Sequence, residues 1–339
     1  MMLLTKLSQF YYWTPKIAVN SRSSHLVSYT IYFAKTGPGY QYILDRHIRS
    51  VESLRRNNRS IPVYLGVWGG KLRTRDQHYL EKLRVEIRHL GSYEKHLRRN
   101  LPSKWATVFA QYPLGQKWLS LDQILTKRFD RVLHIDNDTF ILCDIEELFE
   151  KFQQADFCAR EEPTTKRSHI AYDPTYIDES IISSLQHSEK VNRIIPFNTG
   201  VVLMKREVTE WLSRNLDLYL CYLMRFTIWL VKQTGTIADE PFLCAARRLN
   251  VAATSSRLWP LVYPSSNQWI LDEFALWFTL ATSKFKIRFF PLSAVLQGDE
   301  FPEIGTQWRA PRLIHYYSAN ADYFFDNWLP GVERSCIGK

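Results

Sequence analysis

The chain has 339 residues, of which 45% are hydrophobic and 23% charged; this composition is typical of a folded globular protein and excludes a disordered one. Its formal net charge of +10 is compatible with nucleic acid, an anionic membrane surface or a phosphorylated ligand. The five cysteines are odd in number and form no Cys-x-x-Cys pair, which argues against a disulfide framework and a zinc cluster and favours a reducing compartment.

The N-terminal residues show no clean hydrophobic periodicity, so we assign 1–27 to an N-terminal extension and 28–339 to a single domain. No long apolar run follows Lys6, whereas a secretory signal needs about 7–15 apolar residues and a membrane span about 20. We therefore expect a cytoplasmic protein. The apolar residues 216–232 predict a helix. Their pattern is more typical of a helix buried against the sheet than of one that lies on a membrane surface, and peripheral membrane contact stays open.

Strand and helix patterns alternate along the first third of the chain. A strand at Ser28–Ala34 is followed by a Gly/Pro turn and by a helix whose apolar residues recur at helical spacing: Leu44, Ile48, Val51 and Leu54. A second strand covers Ile61–Val67, and a third follows a shorter helix at Val85–Ile87. This alternation predicts an α/β fold, with a mainly parallel, Rossmann-like central sheet flanked by helices.

The rest of the chain continues this pattern. Residues 103–126 predict two helices separated by a turn at Pro113–Gly115, and 131–135 predict a short buried strand. The later apolar and acidic segments predict four more strands and one helix: strands at Asp156–Ala159, Gly200–Met204, Phe285–Phe290 and Arg312–Tyr316, and a helix at Asp239–Arg248.

Two acidic residues, Asp136 and Asp138, directly follow the strand at 131–135. Ligands of open α/β sheets bind at the carboxyl ends of strands, so this position favours a functional role over a solvated loop. Two carboxylates one residue apart can reach a single hard cation, and Mg²⁺ or Mn²⁺ typically lies between such carboxylates and the phosphates of a substrate. The pattern predicts a metal site for a diphosphate ligand.

The segment FDRVLHIDNDTFILCDIEELF (129–149) resembles the Asp-x-Asp segment of the glycogenin-like glycosyltransferases, which use nucleotide-diphospho-sugars and have the GT-A fold. Three further blocks occur in the order of that family: FNTGVVLMKR at 197–206, ADEPFL at 238–243 and RLIHYY at 312–317. The resemblance covers roughly 28–318 and implies a metal-dependent transferase that uses a UDP-sugar and retains the anomeric configuration.

The resemblance also implies roles for particular residues. Asp136, Asp138 and His315 would bind Mn²⁺ or Mg²⁺, and Asp239 with Glu240 would act beside the reacting carbon as the catalytic pair. The donor would be contacted by seven positions, of which Asp136 also belongs to the metal set: Ala34, Tyr40, Lys117, Asp136, Asn137, Asn198 and Gly200.

The sequence departs from the family pattern after His315. In the family this histidine begins His-x-x-Gly-x-x-Lys, and the lysine contacts the donor diphosphate. Here Ser318 and Ala321 stand at the positions of the glycine and the lysine. Another basic residue, such as Lys117 or Arg309, would then have to supply that charge.

Two other functions compete with this interpretation. A sugar-nucleotide pyrophosphorylase uses a related fold, but it needs a glycine-rich basic loop after the first strand, and the turn at 35–39 is short and broken by Pro38. A non-catalytic module that binds nucleic acid or membranes is suggested only by the net charge, and we expect no nucleic-acid partner. The acceptor stays open among glycan, lipid, peptide and small molecule. Its pocket is predicted to be shaped by residues 255–300, which are rich in aromatic side chains: Trp259, Tyr263, Trp269 and Trp277.

Overall fold

The computed structural model describes most of the chain between Ser24 and Leu329. The described residues are 24–33, 40–111, 115–124, 129–161, 164–165, 177–178, 183, 186–187, 189–191, 194–233, 270–297, 313–316 and 324–329.

Twelve strands are described: β1 (His25–Tyr32), β2 (Val63–Trp68), β3 (Val85–Gly91), β4 (Arg131–Ile135), β5 (Thr139–Ile141), β6 (Phe157–Glu161), β7 (Thr164–Thr165), β8 (Ile177–Asp178), β9 (Phe197–Lys205), β10 (Ile287–Phe289), β11 (Val295–Gln297) and β12 (Leu313–His315). The described α-helices are α1 (Tyr40–Asn57), α2 (Thr74–Lys82), α3 (Tyr93–Leu97), α4 (Ser103–Gln111), α5 (Gln116–Ile124), α6 (Glu146–Lys151), α7 (Arg206–Arg214), α8 (Leu216–Gln233) and α9 (Ile270–Ala281). A short π-helical segment covers Phe324–Trp328.

Seven strands form the central sheet, in the order β10-β6-β9-β4-β1-β2-β3. All neighbouring strands are parallel except for the two pairs that involve β9, which is antiparallel to both β4 and β6. This sheet confirms the predicted α/β class. A second sheet, β11-β12-β5, lies beyond the end of β4, and in it β12 is antiparallel to β5.

The alternating side chains of the central strands divide the core between the two faces of the sheet. On β4, Val132 packs with the cluster that contains residues of α4, α5, α8 and α9, whereas Leu133 and Ile135 pack with the cluster that contains residues of α1 and α6. A smaller cluster around Phe140, Ile314 and Tyr316 lies on the second sheet. Both faces of β4 are therefore covered by packed side chains.

The predicted elements agree with the structure apart from their boundaries, and several further elements were not predicted. β1 begins three residues earlier than expected, and β3 continues to Gly91. The apolar segment 216–232 is a helix packed in the core, where Tyr219, Leu223 and Phe226 are buried. The unpredicted helices are α3, α7 and α9, and the unpredicted strands are β5, β7, β8 and β11. These strands have two or three residues each, too few to show a period. The helix expected at Asp239–Arg248 lies outside the described residues.

Among the residues that the structure describes, no helix combines the length and the apolar character required to cross a membrane. Of the described cysteines, Cys158 and Cys221 are free thiols.

Candidate metal and nucleotide site

Asp136 and Asp138 lie in the turn between β4 and β5, at the carboxyl end of β4. The backbone N–H of Asp136 donates to the carbonyl oxygen of Gly200 on β9 at 2.8 Å. The carbonyl oxygen of Asp138 accepts a hydrogen bond from the N–H of Tyr316 at 3.0 Å. The turn is thus tied on one side to the central sheet and on the other to the strand that carries His315.

His315 reaches Asp138 because β12 pairs with β5, which places His315 opposite Thr139. Its Nε2 lies 3.2 Å from Oδ1 of Asp138. One ligand atom from each of Asp136, Asp138 and His315 can be chosen so that all three lie within 4.8 Å of one another. Burial opposes protonation of His315, but the carboxylates of Asp138 and Asp136 outweigh it and raise the pKa of the imidazole. We call these three residues the carboxylate–imidazole cluster.

Gly200 provides the space for the imidazole. A Cβ atom added at Gly200 would lie 2.1 Å from Cε1 of His315 and 2.4 Å from its Nδ1. No side chain fits at such a distance, so the ring rests directly on the backbone of β9. Two residues earlier on β9, Oδ1 of Asn198 accepts a hydrogen bond from the N–H of Gly200 at 2.8 Å.

Lys117 on α5 faces the same end of β4. Its Nζ donates to Oδ2 of Asp136 at 2.6 Å and to Oγ1 of Thr199 at 3.3 Å. Burial would lower the pKa of Lys117, but Asp136 and the nearby acids Asp272 and Glu273 outweigh burial and raise it. Lys117 therefore stays protonated and holds Asp136 in place by an ion pair.

Two buried acids at the start of α9 belong to the same site, although the sequence analysis did not single them out. Oε1 of Glu273 accepts from the N–H of Thr199 at 3.0 Å and from its Oγ1 at 3.3 Å. Oδ1 of Asp272 accepts from the N–H of Gly115 at 2.6 Å and from the hydroxyl of Tyr219. The signal was present, because Asp-Glu directly before an apolar run marks the start of a helix.

Burial raises the pKa of both acids. Glu273 reaches about 7, although its bonds to Thr199 and the charge of Lys117 act in the opposite direction. A carboxyl group with a pKa near neutrality beside a ligand-binding strand end is a common feature of functional sites.

Of the other predicted site residues, two lie in the described part of the chain and three lie outside it. Tyr40 begins α1; its ring stacks on Phe33, and its hydroxyl donates to Oδ2 of Asp76 at 2.9 Å. Asn137 lies between the two aspartates in the turn. Three predicted residues lie outside the described residues: Ala34, Asp239 and Glu240.

Trp277 does not line an acceptor pocket, and that part of the prediction was wrong. The side chain is 1% exposed, and its indole N–H donates to the carbonyl oxygen of Phe197 at 2.7 Å. Trp277 packs in the same apolar cluster as its α9 neighbours Phe274 and Phe278, so the tryptophan belongs to the core. The tryptophan-rich stretch before α9 lies outside the described residues.

The donor set of the carboxylate–imidazole cluster fits a divalent cation. Two carboxylates and one imidazole offer two hard oxygen ligands and one nitrogen ligand within a sphere of coordination size. The nitrogen favours Mn²⁺ over Mg²⁺, which prefers oxygen ligands. The missing side chain at Gly200 leaves the room that the imidazole needs to take part.

No family model matches the sequence, and no curated protein matches it significantly. The structure is similar to several solved glycosyltransferases. They include GlyE of Streptococcus pneumoniae TIGR4 (14% identity, 93% of this chain and 60% of that chain, TM-score 0.44) and the galactosyltransferase LgtC (11%, 92% and 95%, TM-score 0.45). A third is mouse xyloside xylosyltransferase 1 (13%, 87% and 98%, TM-score 0.40). This chain thus spans about three fifths of the GlyE chain. Likeness at this level does not define a function, which rests on the geometry of the site.

Proposed function

We propose that the protein is a metal-dependent GT-A glycosyltransferase that moves a sugar from a UDP-sugar to an acceptor with retention of configuration. The observation that carries the proposal is the convergence of Asp136, Asp138 and His315 at the carboxyl end of β4. Such clusters serve nucleotide diphosphates because a bound cation neutralises the charge of the leaving group.

The surrounding side chains support this role. Lys117 fixes one carboxylate oxygen of Asp136, which leaves the other free to face the ligand. Gly200 lets the backbone of β9 lie directly against the imidazole of His315, and Asn198 accepts a hydrogen bond from the N–H of Gly200. Glu273 holds Thr199, which lies between them. In this proposal Asp239 and Glu240 keep their predicted role beside the reacting carbon, and no residue is assigned as a covalent nucleophile.

The alternative functions differ in what they require from the cluster. A pyrophosphorylase would bind a nucleoside triphosphate and release pyrophosphate, so turnover of UDP-sugar with pyrophosphate would identify it. A polyanion-binding module would bind through phosphate charges alone, with a strong dependence on salt and none on a chelator. Its affinity would survive the loss of Asp138.

Calorimetric titration of UDP in the presence of Mn²⁺ tests the proposal. We expect binding by the wild type, loss of binding with EDTA, and at least about 100-fold weaker binding by Asp138→Asn, because a metal ligand is removed. Asp130→Asn is the matched control: it makes the same change at the exposed opposite end of β4 and should leave the affinity unchanged.

UDP binding that ignores both EDTA and Asp138→Asn would contradict the metal assignment. Absence of UDP binding, followed by absence of GDP binding under the same conditions, would exclude the nucleotide-sugar function as a whole.

A further inference from the structure

The site lacks the family's late lysine, so the charge that would face a donor diphosphate has to come from elsewhere. Lys117 is engaged with Asp136 at 2.6 Å and with Thr199 at 3.3 Å, on the α5 side of the sheet. Arg309 lies outside the described residues. The opposite side of the cluster is formed by α1, which carries several arginines.

Helix α1 runs alongside the segment that begins with Asp138. Oγ of Ser53 accepts a hydrogen bond from the N–H of Ile141 at 2.9 Å. Further along, Asn58 donates from Nδ2 to the carbonyl oxygen of Cys143 at 2.9 Å and accepts at Oδ1 from the N–H of Ile145 at 2.7 Å. The contacts move from Ile141 to Cys143 and Ile145 as α1 proceeds from Ser53 to Asn58. The helix and the segment therefore run in the same direction.

This alignment brings Arg46 level with Asp138. Arg46 precedes Ser53 by two helical turns, about 10 Å along α1. Asp138 precedes Ile141 by three extended residues, which is also about 10 Å. Seven residues correspond to about two turns, so Arg46 and Ser53 lie on the same face of the helix. Both are buried, with Arg46 9% exposed.

The contacts of Tyr316, the residue after His315, agree with this placement. Its N–H donates to the carbonyl oxygen of Asp138 at 3.0 Å, and its ring lies 5.2 Å from that of Phe325. Arg49, one turn after Arg46 on α1, has its Cζ 4.8 Å above the same Phe325 ring. This part of α1 therefore lies beside the residue that follows His315.

The guanidinium of Arg46 is held in a defined orientation by Tyr42. Its Cζ lies 4.0 Å from the centre of the Tyr42 ring, and its Nη2 donates to the Tyr42 hydroxyl. Tyr42 is 49% exposed, whereas Arg46 is 9% exposed, so the tyrosine ring covers the guanidinium on its solvent side. A planar guanidinium with several N–H donors matches the oxygens of a phosphate, and one that is already oriented loses little entropy on binding.

We propose that Arg46 binds the diphosphate of the donor beside the carboxylate–imidazole cluster, in place of the lysine that the sequence lacks. The inference rests on the proposed function, since it needs a nucleoside diphosphate at that site. It adds a basic residue from α1 to a site otherwise built from β4, β9, β12, α5 and α9.

The test compares UDP with uridine, both with Mn²⁺, by calorimetry on wild type and Arg46→Met. Methionine keeps an unbranched stem against Tyr42 and removes the charge; Arg46→Gln is a second neutral variant in case the first does not fold. We expect the ratio of UDP to uridine affinity to fall about 10- to 100-fold, the range of one charge-assisted hydrogen bond. Arg46→Lys should recover part of the loss. Arg56→Met is the control, since it removes the same charge from an exposed position on the same helix.

An unchanged ratio in the neutral variants would overturn the assignment of Arg46. So would an equal loss of UDP and uridine affinity, which would indicate a packing role. These results differ from failure of the proposed function, in which the wild type itself shows no metal-dependent UDP binding. Mn²⁺ affinity without nucleotide should stay within about threefold of the wild type, because Arg46 is not a ligand.

Discussion

At the scale of single residues, the contact between Gly200 and His315 shows how closely the site is packed. The imidazole occupies the space that any side chain at position 200 would fill. His315 in turn lies 3.2 Å from Asp138, so its position decides whether three ligand groups or two can meet. A change at Gly200 should therefore act on metal binding through His315.

We expect Gly200→Ala to lower Mn²⁺ affinity about 10- to 100-fold, because the new methyl group displaces the imidazole. His315→Ala should cause a similar loss, and the double variant should lose little more than His315→Ala alone, because the methyl group then has no ring to displace. Titration of Mn²⁺ followed by electron paramagnetic resonance measures the Mn²⁺ affinity of the two single variants and of the double variant. Losses that simply add would show that Gly200 acts independently of His315.

Glu273 provides a prediction about pH. Its pKa rises from 4.5 to about 7 on folding, so the folded state binds the proton more tightly than the unfolded state. The contribution of Glu273 to stability is then fully present below pH 4.5 and is lost as the pH rises through 7. In metal-free protein, Glu273→Gln should become more stable relative to the wild type over this range, by up to about 3 kcal/mol at pH 8.

Urea unfolding at intervals between pH 5 and pH 8 measures the free energy of unfolding of the wild type and of Glu273→Gln. Glu210→Gln removes an exposed carboxylate on α7 and should show no such trend. If the difference in free energy of unfolding between wild type and Glu273→Gln stays constant with pH, Glu273 does not titrate in this range.

At the scale of elements, the second sheet brings β12 and its histidine to the carboxylate–imidazole cluster. The second sheet is connected to α1 by hydrogen bonds of Ser53 and Asn58, which satisfy backbone groups of β5 and of the segment after it. Buried backbone groups that lose such partners cost free energy, so these side chains connect helix position to site geometry.

Asn58→Ala should lower the free energy of unfolding by about 2–4 kcal/mol, because it leaves the N–H of Ile145 and the carbonyl oxygen of Cys143 without the amide. Asn57→Ala changes the same residue type at the exposed neighbouring position and should cost less than about 1 kcal/mol. Urea denaturation measures both. Equal effects at the two positions would show that the amide of Asn58 is not needed to hold the segment after β5.

At the scale of the whole molecule, the basic charge of the chain is distributed among several roles. Lys117 pairs with a buried aspartate, and Arg55 donates to backbone carbonyl oxygens of Leu83, Asn58 and Ile61. Others, such as Arg98, lie at the surface in ion pairs with nearby acids. The net charge of +10 therefore does not by itself indicate a polyanion partner.

Local patterns in the sequence were sufficient to predict the fold class and to single out the turn that carries Asp136 and Asp138. The apolar run of β4, the alternation of strands and helices, and Asp136 with Asp138 at a strand end are all readable within a few residues, because strand and helix periods are local properties. The resemblance predicted donor contacts for Lys117, Asn198 and Gly200. In the structure Lys117 bonds to Asp136, Gly200 lies against His315, and Asn198 bonds to the N–H of Gly200.

Only the tertiary structure decided which distant residues meet. The pairing of β5 with β12 brings His315 to Asp138, the packing of α9 against β9 brings Glu273 to Thr199, and the alignment of α1 with β5 brings Arg46 level with Asp138. Each of these contacts joins segments far apart in the chain. Such contacts depend on how whole elements pack. An acidic pair at the start of a helix has the same local pattern wherever the helix lies, so residue type and spacing did not single out Glu273.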